Sequence, residues 1–226
     1  MNGDKQTFDE LQDHLRQKLL VYLRRAYQRI PPLTTPRILD VGCGSGIPTI
    51  ELAHLSGGDV TGIDIDTDAL QRLEFRAKTS GLSDRVHTIN KSLKHMDFPD
   101  ASFDIIWTEG SIAVIGFHKG IQDWKRFLKP QGYLVAHDQA GNIAQKQQQV
   151  KESGYTLIDC FELSTDVWWH EYYKPLHEAI QQLRSQGVTD PELEKALAKT
   201  QGEINGYHVH PERYRSAYFI MQNTKK

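Results

Sequence analysis

Three alternate glycines in the run Asp40-Val41-Gly42-Cys43-Gly44-Ser45-Gly46 follow the apolar pair Ile38-Leu39 and precede Ile47-Pro48. Glycine permits a tight turn and lets a ligand come close to the backbone where a Cβ would intrude. Pro48 suits the first turn of a helix, where its missing N–H costs nothing, and the N-terminus of such a helix favours negative charge. A carboxylate, Asp64, closes the next apolar run at a separation from which such folds reach ribose hydroxyls. Together these features read as recognition of a nucleotide-like cofactor. A dinucleotide loop would more often read G-x-G-x-x-G. Here the third glycine comes one residue early and Ile47 stands in its place, which disfavours a nicotinamide-dependent oxidoreductase.

Ligands of open parallel sheets bind beyond the carboxyl ends of the strands, so polar residues just after apolar runs are candidates for chemistry. Glu109 follows the run Phe103 to Trp107, and His137, next to Asp138, closes the run Tyr133 to His137. Either could carry a proton, and an unperturbed histidine titrates in the range that base catalysis needs. The competing readings are a packed histidine with a satisfied ring and a glutamate that orders the loop after it. Farther on, Val167-Trp168-Trp169-His170-Glu171-Tyr172-Tyr173 concentrates aromatic side chains. Their faces could enclose a planar or cationic molecule, or pack an added helix onto the core.

The elements that must position these residues are legible from periodicity. Phe8, Leu11, Leu15, Leu19, Leu23 and Tyr27 recur at three- or four-residue steps, which predicts one N-terminal amphipathic helix ended by Pro31-Pro32. Short apolar runs then alternate with helical segments: Arg37 to Val41, Asp59 to Ile63, Val86 to Ile89, Phe103 to Trp107 and Tyr133 to His137. This alternation predicts an α/β fold, a parallel sheet with helices on both faces. The intervening helices are expected from Pro48 to Leu55, from an Asp66 or Thr67 cap to Gly81, from Gly116 to Leu128 and from Asn142 to Ser153. Beyond Gly154 the rhythm breaks. Tyr155 to Leu163 reads as a strand, Trp168 to His208 as a mostly helical insertion, and Tyr214 to Gln222 as a final strand.

A chain of 226 residues accommodates one substantial core, and neither a repeat nor a low-complexity linker marks a second domain. The expectation is a single domain over 1–226, with a helical extension over 1–35 and a helical insertion or lid over 164–212. Lys and Arg total 27 against 29 for Asp and Glu, so no global basic field exists to hold nucleic acid or an anionic membrane. Cys43 and Cys160 are too few for a disulfide framework and lack the paired spacing of a zinc site, so no metal is expected. Met1 to Gln12 lacks the basic and apolar runs of a signal peptide, and no later segment approaches the ~18 apolar residues of a membrane span. A soluble cytoplasmic protein is expected. The oligomeric state is not legible.

Four segments in order carry a family resemblance: Ile38 to Gly46, Val60-Thr61-Gly62-Ile63-Asp64-Ile65-Asp66, Phe98 to Ile106, and Leu128-Lys129-Pro130-Gln131-Gly132-Tyr133-Leu134. With them the chain resembles the class I S-adenosylmethionine-dependent methyltransferases over about residues 36 to 163 and the final strand. It is most similar to the small-molecule or ubiquinone-type subgroup. Glu109-Gly110-Ser111 and Ile115-Gly116-Phe117 are similar to bacterial and archaeal members.

The resemblance implies a Rossmann-like seven-stranded, mostly parallel sheet whose last strand is antiparallel. It implies S-adenosylmethionine as cofactor, with S-adenosylhomocysteine as product. Asp40, Gly42, Gly44 and Gly46 would surround its methionine part, Asp64 its ribose, and Ile65 its adenine. Ser92 and Leu93 would frame the adenine edge, although the family often has Asp where Ser92 stands. Gln131 replaces a glycine common in the Lys-Pro-Gly-Gly turn, at some cost in backbone strain. Glu109 would orient the cofactor's amino group or accept a proton from the acceptor, with His137 as a second candidate base. Ser111, Trp168, Trp169 and Tyr172 are the expected contacts of a small-molecule acceptor. A non-catalytic cofactor-binding or regulatory module is the principal alternative, and a methyltransferase acting on protein or RNA is another.

Overall fold

Strands that are buried on both faces need continuous apolar runs, and helices that cover them need one apolar stripe and legible ends. The computed structural model describes residues 3–224; Met1 and Asn2, with which the segment scanned for a signal peptide begins, lie outside the described residues. In chain order the elements are α1 (Gly3–Lys18), α2 (Leu20–Tyr27), β1 (Arg37–Val41), α3 (Ile47–Ser56), β2 (Asp59–Asp64), α4 (Thr67–Thr79), β3 (Val86–Asn90), β4 (Phe103–Glu109), α5 (Phe117–Trp124), β5 (Leu128–Gln139), α6 (Ile143–Glu152), β6 (Tyr155–Leu163), α7 (Thr165–Trp168), α8 (Lys174–Gln186), α9 (Pro191–Val209) and β7 (Ser216–Asn223). They form two compact units. A sheet unit comprises residues 21–162 and the chain from Ala217 onward, and a helical unit comprises the chain up to Leu20 and residues 163–216.

The sheet has seven strands in the order β3-β2-β1-β4-β5-β7-β6. β1 pairs in parallel with β2 and β4, β2 with β3, and β4 with β5, while antiparallel pairing is confined to the last strands. The fold is therefore the Rossmann-like arrangement that the alternation and the resemblance led one to expect. Strand order reverses between β1 and β4, and the crevice outside such a switch point is where open α/β sheets bind ligands. Ile38, Leu39 and Val41 of β1 and Ile105, Ile106 and Trp107 of β4 are fully buried, as central strands covered on both faces must be. Asp66 caps α4 by accepting from the N–H groups of Asp68 and Ala69, and Leu70, Leu73 and Ala77 form its buried face.

Three local expectations are revised. The N-terminal stripe is two helices, parted at Leu19, whose N–H turns back to the Arg16 carbonyl at 3.0 Å. The stripe serves two cores, because Phe8 and Leu15 pack in the helical unit whereas Leu23 and Ala26 are buried in the sheet unit. The helix expected from Gly116 to Leu128 stops at Trp124 and tightens into a 3₁₀ turn over Lys125–Phe127. β5 begins at Leu128 rather than Tyr133 and carries Pro130 and Gln131 past an irregularity in its pairing with β4.

Gln131 has φ 62, the left-handed conformation that the family's glycine adopts without strain. Replacing it should relieve strain of about 1 kcal/mol. Gln131→Gly is therefore expected to raise the urea midpoint modestly without changing the slope of the unfolding curve; an unchanged or lowered midpoint would show that the residue is unstrained.

The helical unit has a core of its own, made by Phe8 and Leu15 of α1, Tyr172 and Tyr173, Leu176 and Ile180 of α8, and Leu193, Leu197 and Ile204 of α9. Trp169–Tyr173 forms a π-helical turn that runs into α8. Asp190 caps α9, with Pro191 in its first turn. Among the described residues no helix is long and apolar enough to cross a membrane.

Candidate functional site

β1 delivers the glycine loop to the switch point. The N–H groups of Gly42 and Cys43 both donate to the Ile63 carbonyl at the end of β2, at 2.9 and 3.0 Å. Gly42, Gly44 and Gly46 all have positive φ, of 75, 53 and 84. Their surroundings differ. A Cβ on Gly42 would collide with the side chain of Ser111, and one on Gly46 with Leu73, whereas a Cβ on Gly44 would meet nothing within 4 Å. Gly42 and Gly46 are thus demanded by protein packing, and Gly44 is the member that leaves open space beside the backbone.

Asp64 does more than point outward from β2. Its Oδ2 accepts from the Gly44 N–H at 2.9 Å and its Oδ1 from the Asp66 N–H at 3.0 Å, so one carboxylate ties the glycine loop to the cap of α4. Ile65 follows with 72 % of its surface exposed, an apolar platform at the strand end. Asn90, at the end of β3, donates to the Ile65 carbonyl at 3.0 Å and fixes that residue's backbone. Ser92 closes a turn in which its Oγ accepts from the Lys94 N–H at 3.2 Å and its carbonyl from the His95 N–H. Leu93 is half-buried against the sheet core.

Asp40 lies inside β1, only 2 % exposed, and accepts from the Thr49 hydroxyl of α3 at 2.6 Å. Burial pushes its carboxyl up to about 7, with the charges of Glu109 and Asp64 adding to the effect. Burial likewise pushes the Cys43 thiol up, so that thiol is unreactive at neutral pH.

Glu109 and His137 are register partners at the carboxyl ends of β4 and β5. Glu109 Oε1 accepts from the indole N–H of Trp107 and from the phenol of Tyr218, each at 2.9 Å, and Oε2 lies 4.0 Å from His137 Nδ1. The His137 ring stacks on Tyr218 with its plane parallel, centroids 4.2 Å apart. Burial pulls the His137 pKa down to about 3, so the ring is neutral at physiological pH.

Ser111 sits against Gly42. Its hydroxyl donates to the Val41 carbonyl at 2.6 Å and lies 2.7 Å from the Thr108 hydroxyl, so it braces the glycine loop from the β4 side.

The sheet unit thus brings together Asp40, the three glycines, Asp64, Ile65, Ser92, Leu93, Glu109, Ser111 and His137 around the ends of β1, β2, β3, β4 and β5. Trp168, Trp169 and Tyr172 belong to the helical unit, where they pack with one another and with their neighbours. The Trp168 indole donates to Ser216 Oγ at 2.9 Å, Trp169 stacks on Tyr207, and Tyr172 meets Trp168 edge-on. Thr49, Asn90, Trp107, Thr108 and Tyr218 escaped the sequence reading. Thr49 stands in the first turn of α3, across the glycine loop from Asp40. Tyr218 had no local signal, because its partner stands 109 residues earlier.

The two buried groups tie stability to pH in opposite directions. His137 is protonated in the unfolded chain below about pH 6.5 but stays neutral when folded down to about 3, so the folded state loses stability as pH falls through that window. Asp40 keeps its proton in the folded state up to about 7 but loses it near 4 when unfolded, so its contribution is present at low pH and lost as pH rises. Urea unfolding should separate them. His137→Phe is expected to gain about 2 kcal/mol on the parent between pH 7.5 and 4.5, and Asp40→Asn to gain on it in the opposite direction. A pH-independent difference for His137→Phe would show that the ring is not held neutral.

A family model described as a methyltransferase domain matches residues 35–180. The 27-O-demethylrifamycin SV methyltransferase of Amycolatopsis mediterranei is 29 % identical over 66 % of this chain and 55 % of its own. The chain spans about half the length of the curated relatives it matches. Among solved structures, the [4+2]-cyclase SpnF superimposes with a TM-score of 0.76 at 20 % identity over 93 % of this chain and 81 % of that one. An S-adenosylmethionine-dependent methyltransferase from Geobacter sulfurreducens, in complex with S-adenosylhomocysteine, gives 0.67 at 20 % identity over 89 % of each chain.

Proposed function

Because the chain belongs to the methyltransferase-domain family, we propose that it transfers the methyl group of S-adenosylmethionine to a small-molecule acceptor. The observation that carries this reading is the open backbone at Gly44, whose N–H is tied to the Asp64 carboxylate, with Asp40 and Glu109 interacting electrostatically on the adjacent strands β1 and β4. Such a site suits a ligand that carries a ribose diol together with positive charge. A methyl on Gly44 would fill the space that the ligand needs, which is the fit expected of a cofactor cradle. Asp64 holds the ribose, Ile65 covers one face of the adenine, and Ser92 and Leu93 frame its edge. Asp40 and the backbone of Gly42 to Gly46 hold the methionine end. The cofactor supplies an activated methyl on a good leaving group. What remains for the protein is to hold the acceptor's nucleophilic atom in line at near-attack distance, worth on the order of 7 to 11 kcal/mol in favourable cases.

The Glu109 carboxylate is the group we assign to proton handling or to the cofactor's charge, since its orientation is set by two buried donors. His137, neutral and stacked, is a weak base at physiological pH and serves the same centre by its packing. In the sheet unit Ser111 remains a proposed acceptor contact, and in the helical unit Trp168, Trp169 and Tyr172 are proposed as acceptor contacts in their own right, each tested by the acceptor KM of its alanine variant. A cytoplasmic location is part of the proposal, supported by the two free cysteines, Cys43 and Cys160.

Calorimetry with S-adenosylmethionine and S-adenosylhomocysteine tests the first half, and folded protein that binds neither would end the reading. Incubation with methyl-labelled cofactor and a cell metabolite extract, followed by mass spectrometry, tests the second. Label found only in protein or RNA would replace the small-molecule acceptor with a macromolecular one, and binding without any labelled product would favour a regulatory module.

A further inference from the structure

We propose that Tyr218, on the last strand of the sheet, is a positioning residue for the cofactor's cationic end, acting through the carboxylate of Glu109. The inference rests on the reading above and deepens it. β7 lies between β5 and β6, and Tyr218 is accordingly sandwiched by a ring from each neighbour. His137 lies parallel on one face at 4.2 Å and Phe161 stacks at 5.1 Å. The stack continues with the guanidinium of Arg25 from α2, 3.9 Å from the centre of the Phe161 ring. Tyr218 is 2 % exposed, so the ring has no room to swing and its hydroxyl is held at one point.

That point is Glu109 Oε1, which accepts hydrogen bonds from the Tyr218 hydroxyl and the Trp107 indole N–H at 2.9 Å each. Burial and the neighbouring Glu109 charge keep the phenol protonated, so it donates at any pH the fold tolerates. Two fully buried donors on one oxygen stabilise the ionised carboxylate and select a single rotamer. Glu109 stands at the switch point, beside the strand that delivers the glycine loop, and two residues further Ser111 braces Gly42. The carboxyl group is thereby presented and oriented where a sulfonium and an ammonium would arrive. The last strand, remote in sequence from every recognisable cofactor motif, sets the anion's direction.

A double-mutant cycle read by calorimetric binding of S-adenosylmethionine tests this, with thermal unfolding of each variant alongside. Tyr218→Phe keeps the ring and its stack and removes one donor; its affinity is expected to fall about tenfold, the order of one lost hydrogen bond to a charged group. In a Glu109→Gln background, where there is no charge to orient, the same substitution is expected to change affinity less than about twofold. A purely structural tyrosine would weaken binding equally in both backgrounds, and such additivity overturns the proposal, as does unchanged affinity in Tyr218→Phe. Should Tyr218→Phe unfold at the assay temperature, Trp107→Phe, which removes the other donor to the same oxygen, is put through the same cycle with the same two readings. Failure of the parent protein to bind the cofactor would overturn the function proposed above together with this inference, whereas binding with additive variants would overturn this inference alone.

Discussion

Gly42→Ala and Gly44→Ala are expected to fail in opposite ways, although both residues lie in one loop and both have positive φ. At Gly42 the added methyl meets the side chain of Ser111, whose hydroxyl is committed to the Val41 carbonyl and cannot yield without opening that bond. Overpacking and left-handed strain together are expected to cost about 3 kcal/mol, a fall in Tm of many degrees. At Gly44 nothing lies within 4 Å, so only the backbone strain, about 1 kcal/mol, is charged against stability. The methyl instead occupies ligand space, and S-adenosylmethionine affinity should drop by roughly tenfold to a hundredfold, as expected for 1–3 kcal/mol of steric conflict. Calorimetric binding measured beside thermal unfolding distinguishes the two. A Gly44→Ala protein that binds the cofactor normally would place the ligand elsewhere.

Asp64→Ala is the second large effect. The carboxylate is proposed to accept from the ribose, and it also staples the Gly44 N–H to the cap of α4 through Asp66. Removing it is expected to take away the proposed ligand contact and to free the glycine loop from the cap of α4. Each hydrogen bond to a charged group is worth about 1.5–3 kcal/mol, so cofactor affinity should fall by about a hundredfold or more. Asp64→Asn keeps an oxygen for the Gly44 N–H while losing the charge, and should fall between the two. If Asn restores loop stability yet binds as weakly as Ala, the ribose contact dominates; if Ala binds like the parent, Asp64 is only a staple and leaves the cofactor site.

The loop, its acidic partner and the positions of the central strands along the chain are legible because each is a local demand. Positive φ calls for glycine, a helix start calls for Pro48 or Asp66, and a strand buried on both faces calls for an unbroken apolar run. The boundaries that were misjudged have long-range causes. The N-terminal stripe is continuous in periodicity but divides at Leu19, since its two halves are buried in different cores. At Asp40, which the resemblance makes a cofactor contact, burial pushes the carboxyl up to about 7 against the opposing hydrogen bond from Thr49, a property that no neighbouring residue announces.

Periodicity along the chain carried the α/β fold, four ordered motifs carried the family resemblance, and the run from Asp40 to Asp64 carried the expectation of a cofactor cradle. The direction of Glu109, the protonation of His137 and the part played by Tyr218 could not be read that way. They depend on desolvation and on contacts between β4, β5, β6 and β7, and neither quantity is carried by neighbouring residues along the chain. Tyr218 is one apolar-strand aromatic among several until the sheet sets it 109 residues from its carboxylate partner and 2.9 Å away.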